Sequence, residues 1–241
     1  EGVTICAGAN TSFSVTASGA GITYQWQVNT GSGWNNIITS GTNPNYSGYT
    51  TNTLSVNSTV ASNNNFQYRC IVSGTCTPAA TSNTAILTVN QAPIINTQPS
   101  SAVVCNGNNA SFFVDAAGTN LIYQWKVNTG SGWTNVSNNS FYSGASSSQL
   151  TLTAPPSTYN NYIYYCEISG TCTPSVSTDI VTLNVNTAPA ISQQPADAAV
   201  CTGGNTSFVI NATGSAITYQ WQVNVGSGWN NITTAGSNPV Y

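Results

Sequence analysis

The stretch Tyr24-Gln25-Trp26-Gln27-Val28-Asn29-Thr30-Gly31-Ser32-Gly33-Trp34 returns twice. Residues 123–133 repeat it with Lys126 in place of Gln27, and residues 219–229 with Val225 in place of Thr30. Near-copies at a spacing of almost a hundred residues identify a repeat protein. Within each copy the side chains alternate. Tyr24, Trp26 and Val28 share one face and Gln25, Gln27 and Asn29 the other, the pattern of a strand with one buried side. Thr30-Gly31-Ser32-Gly33 supplies a turn with two residues free to take positive φ. Trp34 then opens the partner strand.

Outward from this motif, the landmarks keep step. Trp26 to Trp125 spans 99 residues and Trp125 to Trp221 spans 96; Cys6, Cys105 and Cys201 are spaced identically. Cys70 to Cys166 spans 96, so the three missing residues fall between Trp125 and Cys166. Each repeat reads as about seven short strands: one ending at Cys6, one around Phe13 and Val15, the Trp26 hairpin, Leu54-Ser55-Val56, residues 66–72, and residues 85–89. Short strands with turns between them, and no helical period, predict an all-β sandwich for each repeat. Ala92-Pro93 and Ala188-Pro189 follow the closing strands, with Pro99 and Pro195 six residues later. Short, stiff linkers are expected there. The domains are therefore residues 1–91 (a first repeat without a lead-in strand), 92–187, and 188–241 as the N-terminal half of a third. Tyr241 stands 12 residues after Trp229, as Tyr46 does after Trp34. A half-sandwich cannot close its own core, so the expectation is a window on a longer array, with completion by a neighbouring chain as the alternative. Glu1 leads straight into a strand-like segment without a signal-peptide pattern, which reads as a mature or internal start.

Composition bounds the rest. Only 3% of the 241 residues are charged, and Arg69 and Lys126 are the only basic ones. The net charge of −3 leaves no basic footprint for nucleic acid or anionic lipid. Hydrophobic residues make up 40%, too many for a disordered chain, and no apolar run approaches the ~20 residues of a membrane-spanning helix. Solubility rests on Asn, Ser, Thr, Gln and Gly. Together with seven cysteines, this points to an oxidising, extracellular setting at the cell surface.

Trp26 in the third strand with Tyr68-x-Cys70 in the sixth, and Trp125 with Tyr164-x-Cys166, resemble the immunoglobulin pattern. The wording Val104-Cys105-Asn106-Gly107, Tyr-Gln-Trp-Gln, Gly-Trp-x-Asn and Cys70-x-x-Ser73-Gly74-Thr75-Cys76 resembles the tandem Ig-like repeats of secreted or surface-anchored bacterial adhesins and filaments, particularly those of Bacteroidetes. The resemblance implies core positions for Trp26 and Trp125 and a tyrosine corner for Tyr68 and Tyr164. It departs in one respect: Val15, Val114 and Ile210 replace the strand-B cysteine, so Cys70 and Cys166 lack their usual partner.

Each full repeat has three cysteines, which leaves a free thiol or a bond between repeats. Cys70 and Cys166 alternate with Tyr68 and Tyr164 on the inward face and are expected to be buried, reduced thiols. In an Ig-like sandwich Cys6 and Cys76 lie at opposite ends, roughly 25–30 Å apart by strand rise. That is too far for a bond within the repeat, whose Cα atoms must lie within about 7 Å. Cys6 with Cys172, across the junction, is the expected bond. Cys6–Cys70 and Cys70–Cys76 are the alternatives.

Catalytic chemistry has little to stand on. The chain has no histidine, which removes Ser-His-Asp, Cys-His and His-metal sites. The five acids do not recur as a pair from repeat to repeat, and no Lys or helix follows Gly31-Ser32-Gly33 to make a phosphate cradle. No enzyme, cofactor or metal is expected. Trp34, Trp133 and Trp229 admit two readings: a row of aromatics stacking on sugars, or packing over the sheet edge. The function expected is a structural repeat module of an extracellular adhesin or filament, partnered by neighbouring repeats of the same or identical chains. Carbohydrate binding by the aromatic row is the alternative, and a filament subunit completed in trans a further one.

Overall fold

A computed structural model describes residues 1–234; Tyr241, matched above with Tyr46, lies outside the described residues. Repeat 1 contains β1 (Val3–Cys6), β2 (Thr11–Ser14), β3 (Thr23–Asn29), β4 (Trp34–Asn36), β5 (Asn45–Ser47), β6 (Thr53–Asn57), β7 (Phe66–Ser73), β8 (Ala80–Thr81) and β9 (Ala85–Asn90). One sheet runs β1-β9-β7-β3-β4 with β8 beside β7, and the other β2-β6-β5. β1 is parallel to β9, and the other pairs are antiparallel. The alternation in β3 seats Trp26 opposite Cys70 and Val28 opposite Tyr68 on β7. Phe13, Leu54 and Val56 from the smaller sheet meet Trp26, Tyr68, Cys70, Leu87 and Val89 from the larger in a single buried cluster. Two sheets each apolar on one face have no other way to hide those faces from water.

Repeat 2 follows the same plan: β10 (Ile94–Thr97), β11 (Ala102–Cys105), β12 (Ala110–Phe113), β13 (Asp115–Ala117), β14 (Ile122–Asn128), β15 (Trp133–Asn135), β16 (Tyr142–Ser143), β17 (Gln149–Leu152), β18 (Tyr162–Ser169), β19 (Val176–Ser177) and β20 (Val181–Asn186). Its larger sheet runs β11-β20-β18-β14-β15 with β19 on β18, and its smaller sheet β12-β17-β16. β10 adds a lead-in strand paired with β13. Trp125, Phe112, Leu150, Leu152, Tyr164 and Leu183 are all almost fully buried. In both repeats the indole N–H of the core tryptophan finds a carbonyl, Thr51 at 3.0 Å and Ser147 at 2.9 Å, so its polar tip is satisfied.

The buried tyrosines depart from the tyrosine-corner expectation. Instead of a backbone group upstream, the Tyr68 hydroxyl meets the Tyr46 hydroxyl at 3.3 Å, and Tyr164 meets Tyr142 at 3.0 Å. Burial pushes Tyr68 and Tyr164 well above the ordinary phenol range, and each remains a neutral hydroxyl.

Residues 188–234 form two strand pairs of the same plan. β21 (Ala190–Gln193) pairs with β22 (Asn211–Thr213) as β10 does with β13, and β23 (Gln222–Asn224) pairs with β24 (Trp229–Asn231) as β14 does with β15. Phe208, Tyr219 and Trp221 are exposed there.

Candidate functional site

The chemistry of this chain concentrates where repeat 1 meets repeat 2. Cys6 ends β1 and lies opposite Asn90, the last residue of β9. The next amide, Ala7 N–H, donates to the Asn90 carbonyl at 2.8 Å. Gln91 follows directly and is held by Thr119: Gln91 N–H donates to Thr119 Oγ1 at 2.9 Å, and Thr119 N–H returns to the Gln91 carbonyl at 3.0 Å. The Thr119 carbonyl accepts from Thr171 N–H at 3.0 Å, and Asn120 Nδ2 donates to Thr171 Oγ1 at 3.0 Å. Cys172 is the next residue. Hydrogen bonds thus lead from Cys6 to Cys172 through Asn90, Gln91, Thr119 and Thr171. At their end Cys6 and Cys172 form a disulfide, with Cα atoms 5.8 Å apart.

Gly118 permits this close seating. Its φ is +152°, and a Cβ there would lie 3.1 Å from Pro93 Cα and 3.3 Å from the Ala92 carbonyl. The linker therefore lies against the turn between β13 and β14, with backbone touching backbone.

The other cysteines divide into two kinds. Cys70 and Cys166 are buried free thiols at the centres of β7 and β18. Burial drives the Cys70 thiol pKa up, and pushes Cys166 to about 12. Their backbone amides donate to Ser82 Oγ and Thr178 Oγ1, each at 2.9 Å. Cys76, Cys105 and Cys201 are free and exposed. Among the described residues no group of three His, Cys, Asp or Glu side chains is placed to hold a metal ion.

Trp34, Trp133 and Trp229 all lie on the outer face of their sheets, opposite Asn29, Asn128 and Asn224. Their surroundings differ. The Arg69 guanidinium sits 4.1 Å from the Trp34 ring centroid, and its Nε donates to Gln27 Oε1 at 2.8 Å. Gln27 in turn donates to Asn36 at 2.8 Å. In repeat 2, Trp133 meets Tyr165 edge-on with centroids 4.6 Å apart, beside a Lys126–Glu167 ion pair at 2.8 Å. Glu167 and burial act oppositely on Lys126, and the hydrogen bond to Glu167 dominates, raising its pKa. Trp229 is 70% exposed. A sugar seeking the Trp34 ring would first have to displace a stacked cation.

Three sets of residues that matter here have only faint sequence signals. Asn29, Asn128 and Asn224 cap the hairpins: Asn29 Oδ1 accepts from Gly31 and Gly33 N–H at 2.9 and 3.0 Å, and the other two repeat this. The recurrence of Asn two residues before Gly-x-Gly is the signal. Thr119 and Thr171 carry the junction bonds but are indistinguishable by sequence from the many other threonines. Tyr46 and Tyr142 each stand 22 residues before a core tyrosine, but nothing in their own neighbourhood marks their pairing with it.

No family model matches the chain. Over 153 residues it is 32% identical to endoglucanase C of Cellulomonas fimi, covering 62% of this chain. The chain spans only 13% of the length of that curated relative. Among solved structures, the I-band fragment I67–I69 of titin superposes with a TM-score of 0.64 at 17% identity, over 98% of this chain and 79% of that one. DIP-gamma IG1+IG2 gives a TM-score of 0.53 at 19% identity, over 76% and 93%. The fold is a tandem array of immunoglobulin-like β-sandwiches.

Proposed function

We propose that this chain is a structural repeat module of an extracellular surface adhesin or filament, a stalk that carries a binding element away from the cell surface. The observation that carries the reading is the junction. A short proline-containing linker, pinned at Gln91 by two hydrogen bonds to Thr119, is bridged by a second covalent connection between the repeats. A spacer needs such a joint, because a bare linker leaves neighbouring domains free to swing. The outer faces support the same non-catalytic role, since their polar side chains are spent on one another.

Mechanically, the bond closes a loop with a sequence separation of 166. When the chain is pulled by its ends, load crosses from Cys6 to Cys172, and the residues between them stay off the load path. Single-molecule stretching tests this. Reductant or Cys6→Ser should add roughly 550–600 Å of extension at ~3.3–3.6 Å per released residue. An unchanged extension would show that the junction bond carries no load.

Carbohydrate binding is the second reading. It is favoured by the common placement of Trp34, Trp133 and Trp229 on one sheet face and by the likeness to a stretch of an endoglucanase. Glycan-array binding that vanishes in Trp34→Ala and Trp133→Ala would establish it and displace the stalk as the sole role.

A further inference from the structure

We infer that Cys105 is one half of a second junction staple, taken by the cysteine of the Ser-Gly-Thr-Cys hairpin in the repeat that follows, and that Cys76 is the matching half facing a repeat that precedes. The staple is thereby a feature of every junction of the array. This goes beyond a stalk role: it rests on the geometry of the junction, wherever the protein resides.

The first junction shows what sets the bond. Cys6 is tied to Asn90, Gln91 to Thr119, and Thr119 to Thr171, which precedes Cys172. Every element of that series present at the second junction is arranged in the same way. Cys105 ends the parallel edge strand β11 opposite Asn186, and Asn106 N–H donates to the Asn186 carbonyl at 2.7 Å. Thr187 N–H donates to Ser215 Oγ at 3.0 Å, and Ser215 N–H returns to the Thr187 carbonyl at 3.1 Å. Gly214, with φ of +142°, lets Ala188 and Pro189 lie against it as Gly118 does for Ala92 and Pro93. Only the hairpin that would bring the partner cysteine is not part of this sequence.

The receiving half is visible in repeat 1. Ser73-Gly74-Thr75-Cys76-Thr77-Pro78 is identical to residues 169–174. Thr75 N–H donates to the Ala20 carbonyl at 3.0 Å, as Thr171 does to Thr119. The hairpin is thus fixed to its own repeat before any neighbour arrives. A neighbour seated on the Ala20 turn would find the Cys76 thiol where the Cys6 thiol finds Cys172. Cys76 and Cys105 are both exposed and free, as unfilled halves must be. Bond formation needs a disulfide oxidant such as oxidised glutathione. The Cys105 thiolate displaces one glutathione from it to give a mixed disulfide. The hairpin thiolate then attacks the Cys105 sulfur and releases the second, so two protein thiols are oxidised and one glutathione disulfide is reduced.

The test is a chain of residues 1–187 followed by a second copy of residues 92–187. Each repeat used closes its own core. After refolding in a glutathione buffer, non-reducing peptide mapping should find Cys6–Cys172 and also Cys105 bonded to the Cys172 of the second copy. Cys76 should remain open to alkylation. Cys105 alkylated to the same extent as Cys76, beside an intact Cys6–Cys172 bond, would overturn the inference and leave the stalk reading untouched. Should that chain not fold, the 241-residue chain decides: iodoacetamide should modify Cys105 and Cys76 at least tenfold faster than Cys70 and Cys166. A Cys105 that resists while folded is not an available half-staple.

Discussion

β14 of repeat 2 and the stretch that ends in β23 are built from nearly the same words, Tyr-Gln-Trp-Lys-Val-Asn and Tyr-Gln-Trp-Gln-Val-Asn. Their local structure agrees down to single hydrogen bonds. Gln124 Nε2 donates to the carbonyls of Trp125 and Val136, and Gln220 Nε2 to those of Trp221 and Ile232. Yet Trp125 is completely buried and Trp221 is 41% exposed. The difference lies in what surrounds the strand. β14 has β18 along its other edge, and Phe112 and the smaller sheet over the indole. β23 pairs with β24 alone among the described residues. The motif specifies a hairpin; strands distant in sequence make that hairpin a core.

The sharpest way to break this comparison is to truncate the two indoles. Trp125→Ala, and Trp26→Ala in repeat 1, should each cost about 3–5 kcal/mol, the cavity left by a large core side chain. Trp221→Ala should change stability by less than about 1 kcal/mol, since it leaves no cavity. Urea denaturation followed by far-UV circular dichroism would measure both. Equal costs would mean that the local motif, and not the surrounding strands, supplies the burial energy.

The same contrast explains what was legible in the sequence. Period-2 alternation around Trp26, Tyr68 and Cys70 is a local record of a strand with one wet face, so fold class and core residues follow from it. The end-to-end geometry of an Ig-like sandwich and a parity argument favour pairing Cys6 with Cys172 but leave Cys6–Cys70 and Cys70–Cys76 open. The hydrogen bonds that set the Cys6–Cys172 pairing did not announce themselves, because Thr119 and Thr171 act through backbone groups every residue possesses and through hydroxyls shared with the many other threonines. Tyr46 was equally silent about Tyr68: a hydroxyl pair 22 residues apart depends on how two sheets close. Whether Trp34 is open or covered turned on one guanidinium arriving from β7.

The thiols sharpen the comparison next. Burial raises Cys166 from an ordinary 9.0 to about 12, so the folded state holds the proton where the unfolded chain has lost it. That contribution is fully present below about pH 9 and is lost as pH rises through about 12. Repeat 2 should therefore lose stability across that alkaline window. Cys166→Ala, which has no proton to release, should weaken the dependence while costing some packing. In contrast Cys201, exposed in the terminal segment, should be alkylated at a rate independent of unfolding. Identical alkaline profiles for the parent and Cys166→Ala would place the pH sensitivity elsewhere, with the buried phenols as the next candidates.

The smallest expected effect tests the local half of the comparison. Asn128 Oδ1 accepts from Gly130 and Gly132 N–H at 2.8 and 3.2 Å, and Asn224 Oδ1 from Gly226 and Gly228 at 2.8 and 3.2 Å. Both caps are exposed, so water can replace the lost acceptor, and alanine should cost about 1 kcal/mol or less at either site. The consequences should nevertheless differ. In repeat 2 the hairpin is held by β18 as well as by its own turn, so Asn128→Ala should lower global stability slightly and leave the β14–β15 pairing intact. A two-stranded hairpin is marginal by itself, and a loss of ~1 kcal/mol shifts such an equilibrium about fivefold. Asn224→Ala should therefore show as weakened cross-strand contacts between Asn224 and Trp229 in NMR spectra, with repeat 2 unaffected. Aspartate, which keeps the acceptor oxygen, should behave nearly as the parent at both sites. If Asn224→Ala leaves the hairpin signals unchanged, the glycines alone hold the turn, and the recurrence of asparagine before Gly-x-Gly needs another explanation.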